Sequence, residues 1–517
     1  MDTPALYATF WSLVPPIIAI VLALITKEAY SSLFIGVVVG ALFVSGGSPI
    51  GALNALITDS DAPGGMIAAL ASNAGIFIFL VLLGIIVALV NLSGGSAAFG
   101  RWAEKNIKSR VGAQLATFFL GVLIFIDDYF NCLTVGSVMR PVTDNHKISR
   151  AKLSYLIDAT AAPVCMIAPV SSWAAAVSAT ADKLDSGVSG IQLFMQAIPY
   201  NFYSLLTFVF IFTLILMKMD YGPMKLHEQA ALLENKLGAL EGTDKTPGNP
   251  KGKVIDLVLP VAILIVTCTI GMLYVGGFFG TDWWGGTDYA WDFIGAFGNT
   301  DAFVGLPWGS VIALVIIVIY YLCRRVVTFK KAMECVPAGF ISMVPAMTIL
   351  TLAVSLKNMT GALGADVFVH DVMNGVSGGL YAFLPAVIFL VAVALAFASG
   401  TSWGTFGILI PIVTAVFPAD SQLLIIGISA CLAGAVCGDH CSPISDTTIM
   451  ASAGAQVEHI QHVSTQLPYA LTVAGVSFVT YIIAGFVQNW LVCLLIGAVL
   501  TVGTLFVIRA VDTKQKA

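Results

Sequence analysis

The sequence predicts an all-α polytopic membrane protein: two inverted repeats, about eleven transmembrane helices plus two re-entrant hairpins, and discontinuous helices at the midplane. Three observations predict it. First, 58% of the 517 residues are hydrophobic and only 10% are charged, where a soluble domain carries about 25%. Second, apolar runs of roughly 20 residues recur along almost the whole chain, each long enough to cross a hydrocarbon core about 30 Å thick. Lipid offers the backbone no hydrogen bonds, so such runs must be helices, and a barrel would alternate apolar with polar residues instead. Third, the two halves echo each other at an offset of roughly 270 residues, with flanking loops of opposite charge character.

In order, the spans lie at 11–26, 31–45, 66–92, 151–180 and 198–218, then 254–279, 304–323, 336–360, 421–453, 467–486 and 489–509. Two further apolar stretches, 112–142 and 380–418, are interrupted by Asp127-Asp128-Tyr129-Phe130-Asn131 and by Ser399-Gly400-Thr401-Ser402-Trp403-Gly404. Arg101, Lys105, Lys108 and Arg110 precede the first; Arg140, Lys147, Arg150 and Lys152 follow it. Cytoplasmic loops concentrate Lys and Arg, so both ends belong inside and the stretch is a re-entrant hairpin. The second is flanked by Asp366, His370, Asp371 and Asp420, without a base, and enters from outside. The breaks in 151–180 and 421–453 are also paired: Pro169-Val170-Ser171 lies opposite Pro443-Ile444-Ser445.

The organisation that follows is a first repeat, 1–218, a polar cytoplasmic linker, 219–253, a second repeat, 254–488, and an added helix with a tail, 489–517. Loop charges place the N-terminus outside and the C-terminus in the cytoplasm, in a cell inner (plasma) membrane. No cleavable signal peptide is read at the start. Nine cysteines show no disulfide or zinc spacing. A net charge of −5 leaves nothing basic enough for nucleic acid.

Ionisable groups inside apolar segments are costly and usually face a polar cavity. Here they are Asp127, Asp128, Asp158, Lys357, Asp439, His440 and Asp446, and most fall at the four interruptions. A broken helix frees carbonyls and amides, and its half-helix ends carry partial charge. Hard cations want several oxygen ligands, which the carboxylates supply together with Asn131, Ser171, Ser172, Ser399, Thr401, Ser402, Ser442, Ser445, Thr447 and Thr448. Clustered carboxylates also repel one another and lose solvation, so the same site can hold a proton in place of the cation. Asp439 and Asp446 flank Pro443 and are the expected Na+ ligands. One of Asp127 and Asp128 belongs at the site and the other is structural. Asp158 is either functional or an interfacial group near Lys152. Lys357 is a counter-ion or snorkels outward. His440 is a pH-responsive group or a cap. Trp403 lines a substrate pocket or packs the hairpin tip. His459 and His462, beside Glu458 and three apart at a helix-compatible spacing, read as a pH sensor or, in preference, as an ordinary solvated cytoplasmic loop.

Phe125-Ile126-Asp127-Asp128-Tyr129-Phe130-Asn131, Ser399-Gly400-Thr401-Ser402-Trp403-Gly404 and Cys437-Gly438-Asp439-His440-Cys441-Ser442-Pro443-Ile444-Ser445-Asp446-Thr447 resemble NhaC-type Na+/H+ antiporters, in the wider ion transporter superfamily. The resemblance covers essentially the whole chain. It implies a scaffold domain and a mobile transport domain, a homodimer, an elevator-like shift, and a site at Asp127, Asp128, Asn131, Thr401, Ser402, Asp439, Ser442, Ser445 and Asp446. Proteins resembling this family also include malate/lactate exchangers and presumed amino-acid carriers. The expected function is therefore secondary transport, with Na+ and H+ as coupling ions and no cofactor. Na+/H+ exchange is the first reading, and an ion-coupled carrier of an amino acid or carboxylate is the alternative. A channel or a membrane-embedded enzyme fits less well, because paired hairpins favour alternating access and no nucleophile–base motif is visible.

Overall fold

The computed structural model describes residues 6–26, 29–58, 64–125, 127–181, 190–238, 249–280, 286–365, 367–368, 381–443 and 445–514. Its regular elements among these residues are helices. Those that position the site are α1 (Val14–Thr26), α2 (Ala29–Val44), α3 (Ala74–Ser93), α4 (Arg110–Leu123), α5 (Asp128–Asn145), α6 (Arg150–Cys165), α7 (Ser172–Ala181), α8 (Phe202–Met217) and α9 (Gly222–Leu233). They continue as α10 (Ile255–Val275), α11 (Ala302–Cys323), α12 (Phe329–Ala362), α13 (Leu384–Ser399), α14 (Ser402–Val416), α15 (Gln422–Cys441), α16 (Asp446–Ala455), α17 (His459–Val487) and α18 (Trp490–Lys514).

Six helices among the described residues are long and apolar enough to cross a membrane, and up to eight if each of two bent pairs counts as one span. The other apolar runs form shorter or interrupted helices. α1 and α2 have 13 and 16 residues, less than a full crossing, and the runs 151–180 and 421–453 are each cut in two. The bent pairs are Gly190–Tyr200 with Phe202–Met217, at 41°, and Phe329–Val344 with Met347–Ala362, at 40°.

Side-chain caps fix where the broken segments restart. Ser171 Oγ accepts from Ala174 N at 3.1 Å, just before α7, and Ser445 Oγ accepts from Thr448 N at 3.1 Å, just before α16. An oxygen at this position satisfies one of the amides a helix start leaves unpaired. Thr401 caps α14 through Gly404 N, at 3.3 Å. The preceding Gly400 turns the chain at φ 67°, a left-handed conformation that glycine adopts without a Cβ clash. The starts of α5 and α14 are as far apart in sequence as Ser171 and Ser445, so tip and break keep one common spacing.

The first hairpin and the second broken helix meet without an intervening side-chain layer. A Cβ on Gly136, in α5, would collide with the Gly454 backbone in α16. Small residues at such crossings let helix backbones approach closely within a membrane.

Segment 219–253, read as a linker, contains α9. Glu228 on α9 is buried, accepts from Ser149 N at 2.7 Å and pairs with Arg110 at the start of α4. Burial and the charge of Asp220 push its carboxyl above the ordinary value, against the pull of Arg110. Lys225 pairs with Asp512 in α18. Lys152, counted among the loop charges, is buried: its ammonium meets Asp220 at 2.5 Å and lies 5.2 Å from the centre of the Tyr469 ring. Lys357 is therefore not the sole lysine inside the helical body.

Cys323 is the exposed member of the nine cysteines and ends α11 immediately before Arg324 and Arg325. With that basic flank in the cytoplasm, a membrane-impermeant maleimide should label Cys323 in everted vesicles and not in right-side-out ones. Labelling from the opposite face would invert the assignment.

Candidate functional site

The four interruptions come together. The thiol of Cys132, in α5, donates to Thr447 O, in α16, at 3.7 Å and lies within electrostatic range of Asp158, Asp128, Asp127 and Asp439. Trp173, the second residue of α7, donates through Nε1 to Asp128 Oδ2 at 3.0 Å. Its ring sits edge-on to Trp403, at 6.0 Å, and tilted against Phe406, at 5.3 Å. Both partners belong to α14. The end of α15 is tied to the end of α13 by Ser442 Oγ donating to Phe397 O at 2.7 Å. Ser402 Oγ donates to Ala435 O at 3.3 Å.

Many of the sequence-identified polar groups close the breaks. Asn131 Nδ2 donates to Gly121 O at 2.7 Å and to Ile124 O at 2.9 Å, satisfying carbonyls left open at the end of α4. Its Oδ1 is buried without a hydrogen-bond partner among the described residues. Ser171 Oγ lies 2.8 Å from Cys165 O and 3.0 Å from Ala168 O, to which it donates across the break between α6 and α7. Ser445, besides capping α16, lies 3.1 Å from Thr447 Oγ1.

Among the described site carboxylates, Asp127, Asp128, Asp158 and Asp439 are buried. Asp128 is engaged by Trp173 and by Tyr129 N at 3.1 Å. Asp439 Oδ2 accepts from Thr447 Oγ1 at 2.6 Å. Asp446 opens α16, but its side chain lies outside the described residues. Trp403 is buried, and its Nε1 has no hydrogen-bond partner among the described residues.

Asp158 is fully buried, and its Oδ2 accepts from Gln466 Nε2 at 2.6 Å and Thr448 Oγ1 at 3.0 Å, with His462 Nε2 at 3.2 Å. His440 Nδ1 pairs with Tyr203 Oη at 3.0 Å, and its carbonyl accepts from Gln466 Nε2 at 2.8 Å. Lys357 is half-buried and donates to Thr180 O, near the end of α7, at 3.3 Å.

Three participants escape the sequence reading, Trp173, Tyr203 and Gln466, and a fourth, His462, is expected from sequence in a solvated loop. His462 is no loop residue. It is buried in the first turn of α17. Its spacing from Gln466 was the available signal, since residues four apart share a helix face. Among the described residues, no group of three or more His, Cys, Asp or Glu is arranged to hold a metal ion. A cation here would draw on hydroxyl and carbonyl oxygens beside the carboxylates.

Discontinuous helices around buried carboxylates narrow the class to ion-coupled carriers, and a family profile decides within it. The profile of the Na+/H+ antiporter family matches residues 164–486, more than half of the chain. The chain belongs to this family. A protein of Haemophilus influenzae, itself uncharacterized, is 37% identical over 97% of this chain and 96% of its own length. The malate-2H(+)/Na(+)-lactate antiporter of Bacillus subtilis is 30% identical over 21% of this chain and 23% of its own. The fold is similar to that of the Alcanivorax borkumensis YdaH transporter, with a TM-score of 0.51 at 14% identity, covering 81% of this chain and 87% of that one. As a member of the family, the protein is a multi-pass membrane protein and a secondary transporter.

Asn131→Leu should lower the thermal midpoint of the detergent-solubilised protein by the equivalent of about 1–3 kcal/mol for each carbonyl left unpaired. Asp128→Asn keeps an oxygen for Trp173 and should shift the midpoint far less. Equal shifts would show that the tip is not held by the Asn131 amide.

Proposed function

We propose that the protein exchanges Na+ for H+ by alternating access, and that the cation sits beside Asp439, Asp127 and Asp446, near the hydroxyls of Ser445 and Thr447. One observation carries this reading: both hairpin tips and both helix breaks converge on a buried cluster of carboxylates. Half-helix ends and freed carbonyls add oxygen ligands there. Asp128 is already engaged by the Trp173 indole, which supports Asp127 as the member of the adjacent pair that faces the cation. Carboxylates gathered in one apolar site repel one another and lose solvation, so the site can hold a proton in place of the cation; an arriving Na+ then displaces H+ and the two flows are coupled. Resemblance supports a homodimer and an elevator-like shift, and the basic loops support a cytoplasmic C-terminus.

The second reading is a carrier for a small organic solute such as a carboxylate. It rests on the buried indole N–H of Trp403, which lacks a partner among the described residues, and on the aromatic wall of Trp173, Trp403 and Phe406. The function in the name of the Bacillus subtilis relative points the same way.

Everted vesicles loaded with acid and a pH-sensitive dye separate the two. Na+ should dequench the dye with wild type, not with Asp439→Asn or Asp127→Asn, and still with Asp128→Asn. No response to Na+, Li+ or K+ from folded wild type overturns cation exchange, and a binding screen of carboxylates and amino acids then tests the second reading.

A further inference from the structure

Away from the carboxylate cluster, three segments far apart in the chain are fastened together at one corner of the helical body. A Cβ on Gly252 would collide with the Gly94 backbone, where α3 gives way to a short helix, Gly95–Asn106. Arg101 Nη2, on that helix, donates to Gly252 O at 3.3 Å. The same stretch is held to the turn between α11 and α12. Asn249 Nδ2 donates to Val326 O at 2.8 Å, and Asp256 Oδ2 accepts from Arg324 Nη2 at 2.7 Å and from Lys253 N at 2.8 Å.

The corner concentrates base. Arg101, Lys251, Lys253, Arg325, Lys330 and Lys331 are exposed, and among the described residues none of them forms an ion pair. The carboxylates of these segments do little to offset them. Asp256 is buried and taken by Arg324. Glu104 accepts from Asn145 Nδ2 at 2.8 Å, which leaves Glu334, one turn beyond Lys330. Arg325 itself turns the chain at φ 53°, a backbone conformation uncommon for a residue with a Cβ.

Apolar helix ends meet in the same place. α10 begins at Ile255, α11 ends at Cys323 and α12 begins at Phe329. α10 and α11 are long and apolar enough to cross a membrane, so their ends here lie at the level of the lipid head groups. Trp102, Ile255 and Phe329 are exposed beside the bases. Basic loops alone serve to orient a membrane protein. Here the bases are gathered by tertiary contacts and edged by exposed aromatic and aliphatic side chains, which orientation does not require.

We propose that this corner is a binding site for an anionic phospholipid, with the phosphodiester among Lys253, Arg325 and Lys330 and the acyl chains against the apolar flank that starts at Ile255 and Phe329. Basic pockets between membrane helices suit acidic head groups. A soluble anion would match the bases and leave the apolar edge unused, whereas a phospholipid matches both. The bound head group would bridge residues 251–253 and 325–330, and so reinforce the fastening of the three segments. The site is separate from the carboxylate cluster and does not depend on which ion or solute is carried.

The test titrates the purified full-length protein, in a neutral detergent, with dioleoylphosphatidylglycerol and reads the thermal midpoint. The wild-type midpoint should rise with the mole fraction of this lipid and then saturate. Dioleoylphosphatidylcholine and inorganic phosphate should leave it unchanged. Lys253→Gln, Arg325→Asn and Lys330→Gln are combined in one variant, with Asn chosen because it tolerates the left-handed backbone. That variant should start from the wild-type midpoint and need at least about tenfold more phosphatidylglycerol for half the rise. Neutralising three exposed bases elsewhere, Lys108→Gln, Lys147→Asn and Lys236→Gln, should keep the wild-type half-point. Equal half-points in the two triple variants overturn the site and reduce the effect to overall charge. No rise with phosphatidylglycerol, or an equal rise with phosphatidylcholine, overturns recognition of an anionic lipid. A rise with inorganic phosphate alone overturns the lipid as the source of the anion.

Discussion

Each break in a membrane helix opens backbone carbonyls and amides that lipid cannot satisfy, and the rest of this structure depends on how four such breaks are closed. The Asn131 amide bridges two carbonyls at the end of α4. Ser171 and Ser445 cap the restarting helices, and Thr401 caps the second hairpin arm. Ser442 ties the end of α15 to the end of α13. With the breaks held this way, the polar centre is rigid enough to keep several carboxylates together in an otherwise apolar body.

Closing the breaks divides the labour among similar residues. Most of the serines and threonines near the tips give their hydrogens to backbone oxygens, so their first role is to hold the shape, and only their lone pairs remain for an ion. The carboxylates divide too. Asp128 holds Trp173 in place, Asp439 is met by the Thr447 hydroxyl, and Asp158 gathers donors from two helices. Close backbone contact at Gly136 and Gly454 brings the first hairpin against the second broken helix, which lets groups from opposite halves of the chain act in one electrostatic field.

Much of this was legible in the chain itself. Long apolar runs and their polar interruptions mark membrane helices and their breaks, because the cost of a charge or an open backbone in lipid is large and local. The positions of Asp127, Asp128 and Asp439 follow from that cost; Ser171 and Ser445 read as oxygen ligands in the sequence, and the structure shows them capping the restarting helices. Apolar length shows that a run belongs in lipid, but caps and bends decide whether it becomes one long helix or two short ones. His462 and Lys152 were both read as solvated because each neighbours basic or polar residues in sequence. Each is buried, and each is matched by a residue far along the chain: Asp158 for His462, Asp220 for Lys152.

The sequence by itself determined the class of protein, the pairing of its halves and the segments where chemistry is possible, since these depend on periodicity and on local transfer energy. The tertiary structure alone decided which polar groups meet: that Trp173 takes Asp128, that Thr448 stands between Asp158 and Asp439, and that a histidine from α17 reaches a carboxylate on α6. Such pairings join residues from 9 to 304 positions apart. Hydrogen bonding acts over about 3 Å of space and is indifferent to separation along the chain, so only the packing of the helices against one another could select them.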